Sequence, residues 1–265
     1  VFGGIVRSTD GGQTWTTVLG VDLLNLPAEA DLNEITSPFY TDVHLASNGV
    51  LWASVSSATN NPEETYNQAG VYRSEDGVNW TLILNGASTV TRRIEIATST
   101  NEPNIAYFLA DVGSSSYQLW RYDHDNSLLQ NFSPNVPDGS NNVEAFDSQS
   151  SYNMVVAIHP DDSDVVYIGG TNLYRSTDGF SSRRNFSWIG GYNPDTSDDA
   201  PALYPGHHPD QHALLFYPSN ANRMISSNDG GIFVTENNLA EEVNYSSLNN
   251  GFVTTQFYTA TYSRY

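Results

Sequence analysis

Short apolar runs alternate with polar, turn-forming segments along most of the chain. Met154–Ile158, Val165–Gly169 and Leu173–Ser176 are three such runs, separated by Pro, Asp, Asn and Gly. Runs rich in Val, Ile and Tyr between such residues are typical of strands joined in an antiparallel meander. Because apolar residues lie on both faces of this sheet, it needs neighbouring sheets to cover them. The pattern therefore predicts a series of repeated sheets.

A recurring turn marks the repeats. Arg7, Arg73 and Arg175 each precede a Ser-x-Asp-Gly segment, and degenerate copies follow Arg121 and Val234. These positions are 66, 48, 54 and 59 residues apart along the chain. A period of roughly 50 residues with about four strands in each repeat predicts a β-propeller. The expected fold is therefore all-β, with blades of four antiparallel strands.

The repeats continue to both ends of the sequence, so we expect residues 1–265 to form a single β-propeller domain with about five visible blades. Val1 falls inside a repeat, and Tyr265 follows the start of a new strand near Thr255. We therefore expect both ends to be truncated and these blades to be part of a larger propeller.

The turn segments also resemble a known repeat family. Residues 8–15 read Ser-Thr-Asp-Gly-Gly-Gln-Thr-Trp and resemble the Asp-box, or BNR repeat, and residues 74–80 are a variant one residue shorter. The resemblance implies structural roles for Asp10, Asp76 and Asp178, whose carboxylates accept hydrogen bonds from backbone N–H groups of their own turns. It also implies that tryptophan packs between blades. Asp-box propellers include sialidases, xyloglucan-active glycoside hydrolases, sortilin-type receptors and non-catalytic secreted proteins.

Composition narrows the choice of partners. The 265 residues contain 10 Arg, no Lys and 30 Asp plus Glu, giving a net charge of −20. This charge argues against nucleic acid and anionic membrane surfaces. The chain has no Cys, which excludes a disulfide framework and a thiol nucleophile, and no apolar run is long enough for membrane insertion. We expect a secreted or cell-surface protein that binds a polysaccharide, another glycan or another extracellular protein, with membership of a larger assembly left open.

The lengths of the connections predict which face binds. In a four-stranded meander, the first and third turns lie on one face, and the second turn and the connection to the next sheet lie on the other. The Asp-boxes are third turns, whereas the long segments 56–69, 130–151 and 190–209 belong to the opposite face. Since long connections tend to carry functional residues, we expect the binding face to lie opposite the Asp-boxes.

Polar residues at the predicted strand starts on that face are the candidate site. A glycoside hydrolase needs two carboxyl groups across a cleft, one protonated and one ionised. Asp42 and Asp229 are the candidate catalytic pair, with Asp210 in reserve. The candidate ligand-binding residues are His44, Arg92, Arg93, Tyr152, His208, His212 and Asn228.

The segment around Asp210 allows three interpretations. If residues 208–212 are extended, His208, Asp210 and His212 project to one side, with Asp229 nearby. Imidazole and carboxylate together can bind a divalent metal, transfer protons or contact substrate. The third interpretation is that they hydrogen-bond loop backbone and hold the long connection in place.

No cofactor is predicted, with a structural calcium ion as the alternative. Asp123, Asp125 and Ser127 resemble the start of a calcium loop, but the later Gly and Glu ligands are missing. The segment also coincides with a degenerate Asp-box turn, for which a structural role is the simpler interpretation.

The sequence thus favours a glycan- or protein-binding or structural propeller module. The alternative is an endo-acting, xyloglucanase-like glycoside hydrolase using paired carboxylates on the face opposite the Asp-boxes. A sialidase would need three arginines from different blades to clamp a carboxylate. Only Arg92 and Arg93 lie at a predicted strand start on that face, so a sialidase is not favoured.

Overall fold

The structure is a computed structural model that describes residues 3–22, 25, 37–59, 66–86, 91–140, 143–193 and 203–251. Within these residues the only helical element is a 3-10 turn at Ser133–Asn135, and no helix has the length and apolarity needed to cross a membrane. The further repeat expected near Thr255 lies outside the described residues.

Eighteen strands in the described residues form five antiparallel sheets, each made of strands that follow one another along the chain. The first sheet contains β1 (Gly4–Arg7) and β2 (Thr16–Gly20). The second contains β3 (Thr41–Leu45), β4 (Leu51–Val55), β5 (Gly70–Ser74) and β6 (Thr81–Asn85). The third contains β7 (Ile94–Thr98), β8 (Ile105–Asp111), β9 (Tyr117–Asp123) and β10 (Leu128–Asn131). The fourth contains β11 (Val155–His159), β12 (Asp162–Gly169), β13 (Leu173–Ser176) and β14 (Phe186–Gly190). The fifth contains β15 (Gln211–Tyr217), β16 (Asn220–Asn228), β17 (Gly231–Thr235) and β18 (Ser246–Ser247).

The all-β fold and the four-stranded antiparallel sheets are confirmed. The run Leu173–Ser176 coincides with β13, whereas the run predicted at Val165–Gly169 begins earlier, at Asp162. Burial alternates over the first four residues of β12, so its aspartates face solvent while Ser163 and Val165 face inward. A strand can therefore begin in polar residues, before the first residue of its apolar run.

The sheets lie side by side through their first strands, β3, β7, β11 and β15. Turns between first and second strands contact one another: Ser47 Oγ donates to Thr100 O at 3.1 Å, and Asn101 Nδ2 donates to Asp161 O at 3.1 Å. The turns between first and second strands and between third and fourth strands share one face, called here the turn face. The remaining connections form the opposite face, the loop face.

Asp76 and Asp178 lie in turns between third and fourth strands, on the turn face. Asp10 lies in the turn between β1 and β2, whose Arg7 lies beside Gly77 of the β5–β6 turn on the same face. Each carboxylate accepts a hydrogen bond from a backbone N–H of its own turn. The donors are Thr14 for Asp10 (2.9 Å), Asn79 for Asp76 (2.7 Å) and Ser182 for Asp178 (3.1 Å). The hydrogen bonds from the Thr14 hydroxyl and N–H lower the pKa of Asp10 to about 2. These carboxylates are engaged in holding turns.

The tryptophans that follow the Asp10 and Asp76 turns differ. Trp80 packs against buried Val55 and Tyr72, a cluster that also receives Leu19 from the first sheet. Trp15 is 52% exposed, and its Nε1 donates to Gly12 O at 3.1 Å. The expected packing between sheets is therefore wrong for Trp15, because no other described strand covers the outer side of the two-stranded first sheet.

The hydrophobic core lies between the sheets. Every residue of β8 is buried, because it is an inner strand with a sheet on each side. Leu109 and Leu119 from the third sheet meet Met154 and Ile168 from the fourth in one buried cluster. Each pair of adjacent sheets is joined by such a cluster.

We expect Leu119→Ala to lower the free energy of unfolding by about 2–5 kcal/mol, because Leu119 is fully buried between two sheets. Urea unfolding followed by tryptophan fluorescence measures the change. The matched control is Leu128→Ala, since Leu128 on β10 is 46% exposed and its loss should change stability by about 0.5 kcal/mol or less. Equal effects of the two substitutions would contradict the assigned core.

Candidate functional site

A group of polar side chains crosses the loop face near the starts of the first strands. It is called here the loop-face cluster. Its members come from all four complete sheets of the described chain: Asp42, Arg93, Glu95, Tyr152, Asp210, His212 and Asp229. The fold gathers them because the first strands of neighbouring sheets are themselves neighbours.

Two carboxyl groups and one guanidinium form the first part of the cluster. Asp42 is the second residue of β3 and Glu95 the second residue of the adjacent β7. Arg93 Nε contacts Glu95 Oε1 at 2.6 Å, and the Glu95 side chain is 21% exposed. Burial raises the pKa of Glu95 to about 7; the Arg93 charge opposes this shift and the Asp42 charge adds to it. Burial also raises the pKa of Asp42.

Arg93 links this part of the cluster to the next sheet. Its Nη1 donates to Ser151 O at 3.2 Å and to Tyr152 O at 3.3 Å. Tyr152 lies in the connection that leads into β11. The guanidinium therefore fixes the backbone that carries Tyr152, in addition to pairing with Glu95.

A strained loop presents Tyr152. Gln149, Ser150 and Ser151 have φ angles of 49°, 61° and 71°, a left-handed conformation that non-glycine residues adopt at a cost. Buried Asp111 holds this loop by accepting hydrogen bonds from Ser151 Oγ at 2.7 Å and Ser148 Oγ at 3.1 Å. Asp111 was not among the predicted site residues. The sequence signal for Asp111 is its position directly after the apolar run 105–110, at the end of the strand that reaches the loop face.

Tyr152, His212 and Asp229 form the accessible part of the cluster. The Tyr152 hydroxyl donates to the Asp229 carboxylate, with distances of 3.0 and 3.1 Å to its two oxygens. His212 Nε2 lies 2.7 Å from Asp229 Oδ1. The Tyr152 and His212 rings meet edge to face, with centroids 5.1 Å apart. Each side chain is about one-third exposed, so the group is ordered yet open to solvent.

Asp210 lies beside this group. Asn153 Nδ2 donates to Asp210 Oδ1 at 2.5 Å. Burial raises the pKa of Asp210, and the nearby charge of Asp229 adds to the rise. The three candidate carboxylates thus fall into two places: Asp229 lies near Asp210, whose pKa its charge raises, whereas Asp42 lies near Glu95, whose pKa its charge raises.

The extended arrangement of residues 208–212, on which the predicted convergence of His208, Asp210 and His212 depends, is wrong, although both histidines act electrostatically on Asp210. β15 begins only at Gln211, and Asp210 has a φ of 67°, so residues 208–212 are not one extended strand. The His208 ring lies against Gly230, and its Nδ1 is 3.0 Å from Pro209 O. Among the described residues, no three His, Cys, Asp or Glu side chains are grouped to hold a metal ion.

The other predicted ligand-binding residues lie at different depths and contact different parts of the fold. His44 lies deeper in β3, with Nε2 at 2.8 Å from Thr98 Oγ1, and Arg92 lies alongside Gly113. Asn228 requires a correction because it is 5% exposed. Its Oδ1 accepts from Gly230 N at 3.0 Å, so it holds the β16–β17 turn from inside.

The long connection before β15 is anchored by a buried network. His207 Nε2 lies 2.9 Å from Ser226 Oγ, which donates to Gln211 Oε1 at 3.0 Å. Gln211 Nε2 in turn donates to His208 O at 2.8 Å. Burial lowers the pKa of His207 to about 3, so its imidazole is neutral. His207, which was not among the predicted site residues, thus anchors the connection before β15.

The described part of the chain is similar to two solved enzymes. One is the GH74 xyloglucanase from Xanthomonas campestris, with 17% identity and a TM-score of 0.52 over 92% of this chain. The other is a GH74 enzyme from Niastella koreensis, with 17% identity and a TM-score of 0.52 over 91% of this chain. These enzymes are β-propellers. The fold is of the β-propeller type.

The likeness concerns the fold alone, because the sequence identity is low. The chain corresponds to 35% and 34% of the lengths of these two enzymes, about a third. No protein-family profile matches the sequence, and no curated protein matches it. Function must therefore be argued from the loop-face cluster.

We expect Glu95 to make stability depend on pH. Its folded-state pKa of about 7 lies above the ordinary value of 4.5, so the folded state binds more protons between these values. The contribution is complete below about pH 4.5 and is lost as pH rises to about 7, by up to about 3 kcal/mol. Relative to Glu95→Gln, the wild-type free energy of unfolding should fall across this window, measured by urea unfolding at several pH values.

The matched control for this titration is Glu75→Gln. Glu75 also pairs with an arginine, Arg73, at 2.9 Å, but its side chain is 73% exposed. The Glu75→Gln and wild-type curves should run parallel across the window. Parallel wild-type and Glu95→Gln curves would show instead that Glu95 titrates as an ordinary surface acid.

Proposed function

We propose that this chain is a secreted or cell-surface Asp-box β-propeller that binds glycans through its loop face. The observation that carries the proposal is the exposed, hydrogen-bonded group of Tyr152, His212 and Asp229. A phenol, an imidazole and a carboxylate offer both donors and acceptors to ligand hydroxyls. Their mutual contacts fix them before binding, which reduces the entropy lost on association.

The charge of the face favours a neutral, hydroxyl-rich ligand. Asp42, Glu95, Asp210 and Asp229 outnumber the single guanidinium of Arg93 in the loop-face cluster, and the chain carries a net charge of −20. An anionic ligand would be repelled by this field. The ring of Tyr152, which is 38% exposed, provides an apolar surface for the C–H face of a sugar. We place a glycan ahead of a protein partner because the cluster is small and polar.

Glycoside hydrolysis is the second candidate, favoured by neighbouring carboxyl groups that include members with a raised pKa. Asp210 has a raised pKa beside Asp229, and Glu95 has a raised pKa beside Asp42. A pair with one protonated and one ionised member can protonate a leaving oxygen and activate water. The fold-level likeness to a xyloglucanase makes β-glucan polysaccharides the first substrates to test, with an endo-acting cleavage as the expected mode.

We also propose that these sheets belong to a larger propeller. The outward faces of the first strands in the second and fifth sheets carry exposed apolar side chains: Leu45 is 64% exposed and Leu215 is 63% exposed. The opposite faces of the same strands carry residues that pack toward the neighbouring sheets, such as Phe216. Apolar residues on the uncovered faces fit further sheets on both sides.

The loop-face proposal predicts that the chain binds xyloglucan or another neutral polysaccharide and that Asp229→Ala weakens binding about tenfold or more, because a charged acceptor is lost. Tyr152→Phe should weaken it less, since the ring remains. Affinity electrophoresis and calorimetry measure binding. Reducing-end release, compared between wild type and Asp210→Asn, tests hydrolysis separately.

Asp125→Ala is the matched control for Asp229→Ala, because Asp125 is an exposed aspartate on the turn face. It should leave affinity unchanged. Undiminished binding by Asp229→Ala and His212→Ala would show that the glycan site lies outside the loop-face cluster. Binding without any reducing-end release would exclude hydrolysis of that polysaccharide.

The larger-propeller proposal predicts protection of a thiol placed at Leu45 or Leu215. In the 265-residue chain, which has no native Cys, Leu45→Cys and Leu215→Cys should react rapidly with Ellman's reagent. In the natural gene product, further sheets should slow both reactions. Leu109→Cys is the buried control in both proteins. Equally rapid labelling in the natural product would count against additional sheets.

A further inference from the structure

A second concave site lies on the turn face, away from the loop-face cluster. It is a cavity of about 660 Å³ where the first turns of the fourth and fifth sheets meet, with Thr100 of the third sheet at its edge. Its volume falls in the range of about 300–1,000 Å³ that is usual for small-molecule sites. We propose that this cavity binds a neutral saccharide independently of the loop face.

Hydrogen bonds hold the walls of the cavity in place. Asn101 Nδ2 donates to Asp161 O at 3.1 Å, and Asn222 N donates to Asn220 Oδ1 at 3.1 Å. Asn238 also holds this turn. Its backbone N–H donates to Asn222 O at 2.8 Å, and its buried Nδ2 donates to Ala221 O at 2.8 Å. A site that exists before binding loses little entropy when a ligand enters.

A buried donor without a partner lies behind the wall. His159 is 3% exposed, and its Nδ1 accepts from Asp161 N at 3.3 Å, so we place the ring proton on Nε2. Nε2 has no hydrogen-bond partner among the described residues, although it faces Asn222 and the backbone of Ala221, which both line the cavity. The ring therefore supports the wall from behind, beside Asn222 and Ala221, and does not itself reach into the cavity.

The lining determines the class of ligand. Hydroxyls of Thr100 and Ser219, the amide of Asn220 and the carboxylate of Asp161 alternate with the rings of Phe216 and Tyr217. Amides, hydroxyls and one carboxylate can pair with several ligand hydroxyls. Phe216 packs against the core, and the Arg223 guanidinium covers one side of the Tyr217 ring at 4.0 Å from its centroid. Asp161 is the charged residue among the described lining, and Arg223, which lies over the Tyr217 ring, pairs with Glu236 at 2.9 Å, so the lining does not favour an anionic ligand. A neutral polyhydroxylated ring fits these features.

The site is tested by titrating the ¹⁵N-labelled chain with cellobiose, maltose and lactose. We expect at least one of them to shift the amide signals of Asp161, Asn220 and Asn222 with a dissociation constant in the millimolar range. Asp161→Ala should weaken that binding about tenfold or more, because a charged acceptor is lost. Asp125→Ala, on the same face outside the cavity, and Asp229→Ala, on the loop face, should leave it unchanged.

Three results would overturn the inference. The first is the absence of shifts at these amides with all three disaccharides at roughly 50 mM, well above a millimolar dissociation constant. The second is shifts confined to residues of the loop face, which would support the proposed function alone. The third is unchanged affinity in an Asp161→Ala variant whose unfolding curve matches that of the wild type. A loss of loop-face binding in Asp229→Ala with intact cavity shifts would leave this site standing.

Discussion

Each four-stranded sheet depends on the sheets beside it, because both of its faces are apolar. The buried clusters of the core do not lie within single sheets; they join the third sheet to the second and to the fourth, and the fourth to the fifth. β8 is buried along its whole length for this reason. A sheet of this kind in isolation would leave Trp52, Phe108 or Tyr167 in water, and the cost of exposing such large side chains exceeds what four short strands supply.

The same packing creates the candidate site. Since the first strands of adjacent sheets are neighbours, residues at equivalent positions in different repeats come together although they are some 50 residues apart in sequence. Asp42 and Glu95 are brought near one another in this way, and Tyr152 also reaches Asp229, 77 residues away in the β16–β17 turn of the next sheet. The loop face then holds these groups with a second layer of contacts, in which Asp111 fixes the loop before Tyr152 and His207 fixes the connection before β15.

The two faces treat carboxylates in opposite ways. On the turn face, Asp10 is exposed and surrounded by the donors of its own turn, and these lower its pKa. On the loop face, Glu95 and Asp210 are partly removed from water and lie near another acid, and burial raises the pKa of both. The acidic residues of the sequence therefore include two groups whose local environments shift their pKa values in opposite directions.

The sequence by itself determined the class of fold, the strands and the turns. These follow from local properties: the alternation of Val, Ile and Tyr with Gly, Asp and Asn, and the Ser-x-Asp-Gly segments that close each repeat. It also indicated the loop face and most residues of its cluster, because connection length and strand starts can be read along the chain. Only the tertiary structure decided which carboxylates pair, that Asn228 lies inside, that residues 208–212 turn at Asp210, and that Asp111 and His159 matter. Those outcomes depend on burial, on a left-handed backbone and on contacts between distant repeats, and none of these quantities is a property of a short stretch of sequence.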